Sequence, residues 1–131
     1  MQRETIAPEI AREAVDAWVE RYVHAWRTND PADIAALFAE DAEYHETPYT
    51  TRWVGRDEIV TGWRDRWEWQ QGGWSFEWEI RSVEGATAVV HGVGHYTRLG
   101  DFDNLWTLAF DKAGRCTRFH MVNTEKEDTT T

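Results

Sequence analysis

Apolar and polar residues recur along this chain with two periods, and the change between them falls at Gly72-Gly73. Before that point the spacing is helical. Pro8 near the start and Glu9 in the first turn open a helix, and Ile10, Ala14, Ala17, Trp18, Tyr22 and Ala25 mark its apolar face to about Arg27. Asp30 as N-cap, Pro31 at the first helical position and Asp33 at the third then start a short second helix, with Ile34, Leu37 and Phe38 on one side. Ala42–Thr47 reads as a short strand leading to Pro48, and Tyr49–Val54 as a loop. A third helix follows Gly55, with Asp57 and Glu58 in its first turn and Ile59, Trp63 and Trp67 four residues apart. It ends before Gln71-Gly72-Gly73.

From Trp74 onward the period is two. Trp74, Phe76, Trp78 and Ile80 alternate with Ser75, Glu77, Glu79 and Arg81, which predicts a half-buried strand. Turns at Glu84-Gly85, Gly100-Asp101 and Ala113-Gly114 separate further strands over Ala86–Arg98, Asn104–Asp111 and Arg115–Thr124. Helices first and a meander after predict one α+β domain, three helices packed on a curved, mostly antiparallel sheet around an internal pocket. One sheet face is expected to carry His91, Val93, His95, Trp106, Leu108, Phe110, Phe119 and Met121. The other is expected to carry Val90, Gly92, Gly94, Leu105, Thr107, Ala109, Cys116 and Val122. That second face is small and apolar with no helix left to cover it, so a homodimer through the convex face is expected.

Composition narrows the partners. The 131 residues suit a single domain with a real core, while Met1–Ala7 and roughly Lys126–Thr131 read as loose ends. Nine Trp, five Phe and four Tyr supply more ring area than a core of this size usually needs. Mean hydropathy is nonetheless −0.69, which places charge outside and rings inside. A net charge of −10 argues against nucleic acid and against anionic membranes. The lone Cys116 forms no intramolecular disulfide, and with no signal-peptide core or membrane-length apolar run the expected location is cytoplasmic.

The stretches Asp30–Phe38, Ala39-Glu40-Asp41-Ala42, Gly55–Ile59 and Phe110–Arg115, in this order and spacing, resemble the nuclear transport factor 2-like superfamily. The SnoaL-like (polyketide-cyclase-like) and ketosteroid-isomerase-like branches are the most similar. The resemblance implies a cone-shaped fold whose pocket lies between helices and sheet, and it leaves the chemistry open, because this fold hosts many activities. By the same resemblance, Tyr22 matches the tyrosine that donates to the oxyanion in ketosteroid isomerases, and Glu46 falls at or next to the general-base aspartate. Trp63 matches a pocket aromatic. Trp106 stands where those isomerases keep a protonated aspartate, which argues against steroid isomerisation. The Asp-Arg-Asp set of the superfamily's epoxide hydrolases has no counterpart at Trp106, Phe119 and Met121.

Glu46 is therefore the candidate base. A carboxylate entering a ring-lined cavity loses hydration and becomes usable for proton transfer; the plain alternative is a rim glutamate paired with Arg52 or Arg56. Tyr22, His91 and His95 are candidate hydrogen-bond donors, each with a buried structural role as its alternative. The two histidines cannot share a metal ion, since four strand residues separate them by roughly 13 Å. No metal or cofactor is expected. Trp18, Tyr44, Trp63, Trp67, Asn104, Trp106, Phe119 and Met121 are the expected pocket wall for a small apolar or aromatic ligand. Three readings stay open: cofactor-free isomerisation, dehydration or cyclisation of a small carbonyl compound; ligand binding alone; and a dimerisation module with a filled core.

Overall fold

A computed structural model describes residues 10–125. The expected helix start at Pro8 and Glu9 and the two expected loose ends lie outside them. Helix α1 runs Arg12–Thr28 and buries Val15, Trp18, Val19, Tyr22, Ala25 and Trp26. Ala14 and Ala17, expected on that face, are exposed. The buried stripe is the one that carries the larger valines. Asn29 ends the helix in the left-handed region at φ 55°, and its side-chain Nδ2 donates to the Trp63 carbonyl at 3.1 Å, which ties α1 to the third helix.

Helix α2 (Pro31–Ala35) begins as the sequence predicts, with the Asp30 carboxylate accepting from the Ala32 and Asp33 amides. Strand β1 (Phe38–Thr47) starts four residues earlier than expected. The expected loop contains a short strand β2 (Arg52–Val54) that pairs antiparallel with β1. Helix α3 (Arg56–Asp65) follows, and it stops before Trp67, which sits in a separate 3-10 turn over Trp67–Gln70. Trp67 is 49% exposed, so the four-residue spacing from Trp63 does not carry it inward.

Strands β3 (Trp74–Glu84), β4 (Thr87–Tyr96), β5 (Gly100–Phe110) and β6 (Cys116–Glu125) form the meander. The six strands make one sheet in the order β2-β1-β6-β5-β4-β3, and only the β1–β6 pair is parallel. The α+β architecture is as predicted. Among the described residues no helix is long and apolar enough to cross a membrane.

The register corrects the expected sheet faces at β4. Val90 pairs with Trp106, Gly92 with Asn104 and Gly94 with Phe102, so Val90, Gly92 and Gly94 face inward. His91, Val93 and His95 face outward with Leu105, Asp103 and Asp101. The glycines are inward because they make room for rings. A Cβ built on Gly92 would lie 2.1 Å from Cζ of Phe76 on the neighbouring strand. Cys116 also corrects: a register shift between Ala109 and Phe110 turns it inward, where it is fully buried.

Leu105 and Val122 stand on the outer face as expected, 43% and 39% exposed. That face is not simply small and apolar, because His91–Asp103, His95–Asp101 and His45–Glu43 pairs at 2.9–3.2 Å share it. Packed between helices and the inner face is an aromatic core. Trp18 anchors it, edge-on to Phe38 and Phe110 and donating its indole N–H to the Leu37 carbonyl at 3.0 Å.

Candidate functional site

A cavity of about 520 Å³ lies between α1, the 3-10 turn and the inner face of the sheet. Its size suits a small organic molecule. Gly94 of β4 lines it beside the rings of Trp74, Phe76, Tyr96 and Trp106.

Alternation along β1 turns Ala42, Tyr44 and Glu46 inward, and Glu46 reaches the cavity with 7% of its surface exposed. Arg66, at the C-terminal end of α3, meets it there. Nη1 donates to Oε2 at 2.6 Å and Nη2 to Oε1 at 2.8 Å, a two-pronged contact. Nη2 also lies 3.4 Å from Oγ1 of Thr51, and the Tyr44 hydroxyl donates to Oε2 at 3.1 Å. Glu46 is thus neither an unpaired carboxylate nor a rim residue held by Arg52 or Arg56.

Arg66 is fixed on its faces as well as its edge. Its guanidinium carbon lies 4.6 Å from the Trp53 ring centre and 4.4 Å from that of Trp69. Trp53 in turn stacks on Tyr44 at 4.8 Å, Tyr44 on Phe119 at 4.5 Å, and Phe119 on Tyr22 at 5.6 Å. One continuous stack therefore runs from the helix α1 tyrosine to the charged pair. Gln70 holds the 3-10 turn beside the cavity, donating to the Trp26 carbonyl and accepting from the Trp74 indole at 2.7 Å.

Burial governs the titration of this cluster. It raises the Tyr22 phenol well above the ordinary range, with partial relief from the neighbouring Tyr44 phenol. Burial also raises Tyr44, and the adjacent Tyr22, when ionised, and Glu46 add to that rise by repelling a second negative charge. Tyr96 is pushed up to about 12, again by burial. Burial by itself would lower Arg66, but the hydrogen bonds to Glu46 reverse the direction and hold it protonated.

Of the residues predicted from sequence, Tyr22, Tyr44, Glu46, Asn104, Trp106 and Met121 line the cavity. Asn104 accepts from the Trp106 indole at 3.3 Å and donates to Asn123 at 2.6 Å, and Asn123 donates to the Tyr49 hydroxyl at 2.9 Å. Trp18, Trp63 and Phe119 are buried behind the wall; Trp63 meets Tyr22 edge-on at 4.8 Å. Trp67 lies outside. His91 and His95 are on the opposite face of the sheet and cannot serve as donors in the cavity. Sequence reasoning missed Arg66, and also Trp69, Phe76 and Tyr96. The demand of a buried Glu46 for a counter-charge was the available signal, but Arg52 and Arg56 are nearer in sequence. Among the described residues no group of three His, Cys, Asp or Glu side chains is placed to hold a metal.

Several solved structures share this architecture. A protein with a cystatin-like fold from Methylobium petroleophilum PM1 superposes with a TM-score of 0.73 at 19% identity, covering 95% of this chain and 84% of that one. A SnoaL-like protein from Burkholderia thailandensis E264 gives 0.71 at 16% identity, covering 88% and 98%. An LEH-like epoxide hydrolase from M. tuberculosis gives 0.60 at 22% identity, covering 86% and 83%. These likenesses show the fold alone. No curated protein sequence matches the chain. The family model of the SnoaL-like domain matches residues 19–124, nearly the whole described chain, and the protein belongs to the SnoaL-like domain family.

Proposed function

We propose that the cavity binds a flat, largely apolar molecule carrying an oxygen function, and that Glu46 exchanges a proton with it without a cofactor. The observation that carries this reading is a nearly buried carboxylate on the wall of an aromatic cavity, with phenols beside it. In an isomerisation, dehydration or cyclisation, Glu46 would accept a proton from carbon next to a carbonyl group. Arg66 and Tyr44 fix its orientation through hydrogen bonds to its carboxylate oxygens. The Tyr22 phenol, which burial keeps protonated, is suited to donate to the developing enolate oxygen.

A second reading, binding without turnover, is favoured by one contact: both carboxylate oxygens of Glu46 already accept hydrogen bonds from Arg66, which restricts their approach to a substrate. Thermal-shift screening of aromatic ketones and polyketide-like compounds tests the shared part. With a substrate in hand, Glu46→Gln separates the two readings. The catalytic one requires turnover to vanish while affinity for an uncharged substrate survives. Unchanged turnover in that variant would remove Glu46 from the chemistry.

A further inference from the structure

We infer that the Glu46–Arg66 pair sets the charge of the ligand: the cavity takes a neutral aromatic bearing a carbonyl or amide oxygen and rejects the matching carboxylate. The inference rests on the reading of this cavity as a ligand site. It adds which of two equally flat, equally apolar molecules enters.

Three observations lead to it. The first is the supply of donors. A guanidinium has five N–H groups, and the hydrogen bonds of Arg66 to Glu46 and Thr51 use three of them. The Nε–H and one Nη1–H have no partner among the described residues. Arg66 lines the cavity with its side chain only 12% exposed, and because these two N–H groups lie on opposite edges of the guanidinium, a ligand oxygen in the cavity can take one of them.

The second is the charge balance. The charged side chains on the cavity wall are Glu46, Arg66 and Glu125. Glu46 cancels Arg66, and Glu125 leaves a negative remainder within a chain of net charge −10. A carboxylate ligand on Arg66 would lie close to the Glu46 carboxylate in poorly solvated surroundings, where like charges repel strongly. A neutral oxygen accepts the same N–H groups without that repulsion.

The third is rigidity. Trp53 and Trp69 sandwich the guanidinium at 4.6 and 4.4 Å, so it cannot swing from Glu46 toward a second carboxylate without losing both ring contacts. Arg66 acts here as a specificity-determining donor whose charge is already spent on Glu46.

The test uses 2-naphthamide and 2-naphthoate, which share shape and ring area and differ in charge. Binding is read by calorimetry and by quenching of tryptophan fluorescence. The intact protein should bind the amide at least about tenfold more tightly than the acid, a difference of about 1.4 kcal/mol. Glu46→Gln removes the cancelling charge and leaves Arg66 in place, so the acid should gain at least about tenfold and the preference should close or reverse. A gain of binding cannot come from misfolding. In the double variant E46Q/R66Q that gain should disappear. Equal affinity of the intact protein for both probes overturns the inference and leaves the pocket standing, as does an unchanged ratio in Glu46→Gln. If neither probe binds the intact protein or the variant, the ligand-site reading falls, and this inference with it.

Discussion

Trp53 lies between Tyr44 and the Arg66 guanidinium, 4.8 Å from the one ring and 4.6 Å from the other, and Gly62 leaves the space it occupies. A Cβ on Gly62 would stand 2.2 Å from Cζ2 of that indole. The indole is held on both faces and has little freedom to yield. Gly62→Ala should therefore cost about 1–3 kcal/mol, the range for overpacking a core, as read from urea denaturation. Weakened binding of any cavity ligand should accompany it, because a displaced Trp53 no longer fixes Arg66.

Removing one partner of the Glu46–Arg66 pair strands the other charge in poorly hydrated surroundings. Glu46→Ala should lower stability by about 3–5 kcal/mol, and the double replacement Glu46→Ala with Arg66→Ala should be less damaging than the sum of the two single ones. A double-mutant cycle in chemical denaturation measures this. A coupling energy near zero would mean that the two side chains do not depend on each other.

Alkaline pH should unfold this protein earlier than its acidic composition suggests. Tyr22, Tyr44 and Tyr96 all have folded pKa values raised above the ordinary 10 by burial, that of Tyr96 to about 12. Because the folded state holds these protons more tightly, their contribution is fully present below pH 10; that of Tyr96 is lost as pH rises toward about 12, and those of Tyr22 and Tyr44 decline over the same rise and beyond it. Melting temperature should fall across that window, and Tyr96→Phe should flatten part of the decline. Ultraviolet titration should show these phenols ionising together with unfolding.

Cys116 is fully buried, and burial pushes its thiol up to about 12. A water-soluble disulfide reagent should label it at the rate of global opening in the native protein and at once in denaturant. Rapid native labelling would show that the end of β6 opens on its own.

The architecture was legible because it rests on local signals that tertiary contacts reinforce. The Asp30-Pro31 cap, the helical spacing of Trp18, Tyr22 and Ala25, and the period-two run from Trp74 to Ile80 each specify one backbone form. The phase of β4 was not legible. Alternating His-Gly-Val-Gly-His offers either face to the core, and only the Phe76 and Trp106 rings of the adjacent strands decide that the glycines turn inward. That single phase moved His91 and His95 out of the site. Glu46 and Tyr44 were readable from the alternation in β1, whereas Arg66 depends on where α3 stops and on the direction its next residue takes.

The sheet order has a consequence for how the molecule holds together. Strand β6 follows the other five in the chain yet lies between β1 and β5, so the β1–β2 pair and the β3–β4–β5 group join into one sheet only through residues 116–125. Met121 and Asn123 on that strand supply part of the cavity wall, and the Cys116 amide bonds back to the Leu37 carbonyl. Without β6 paired in its place the sheet would be two parts with unpaired edges at β1 and β5, and the cavity would lack part of its wall.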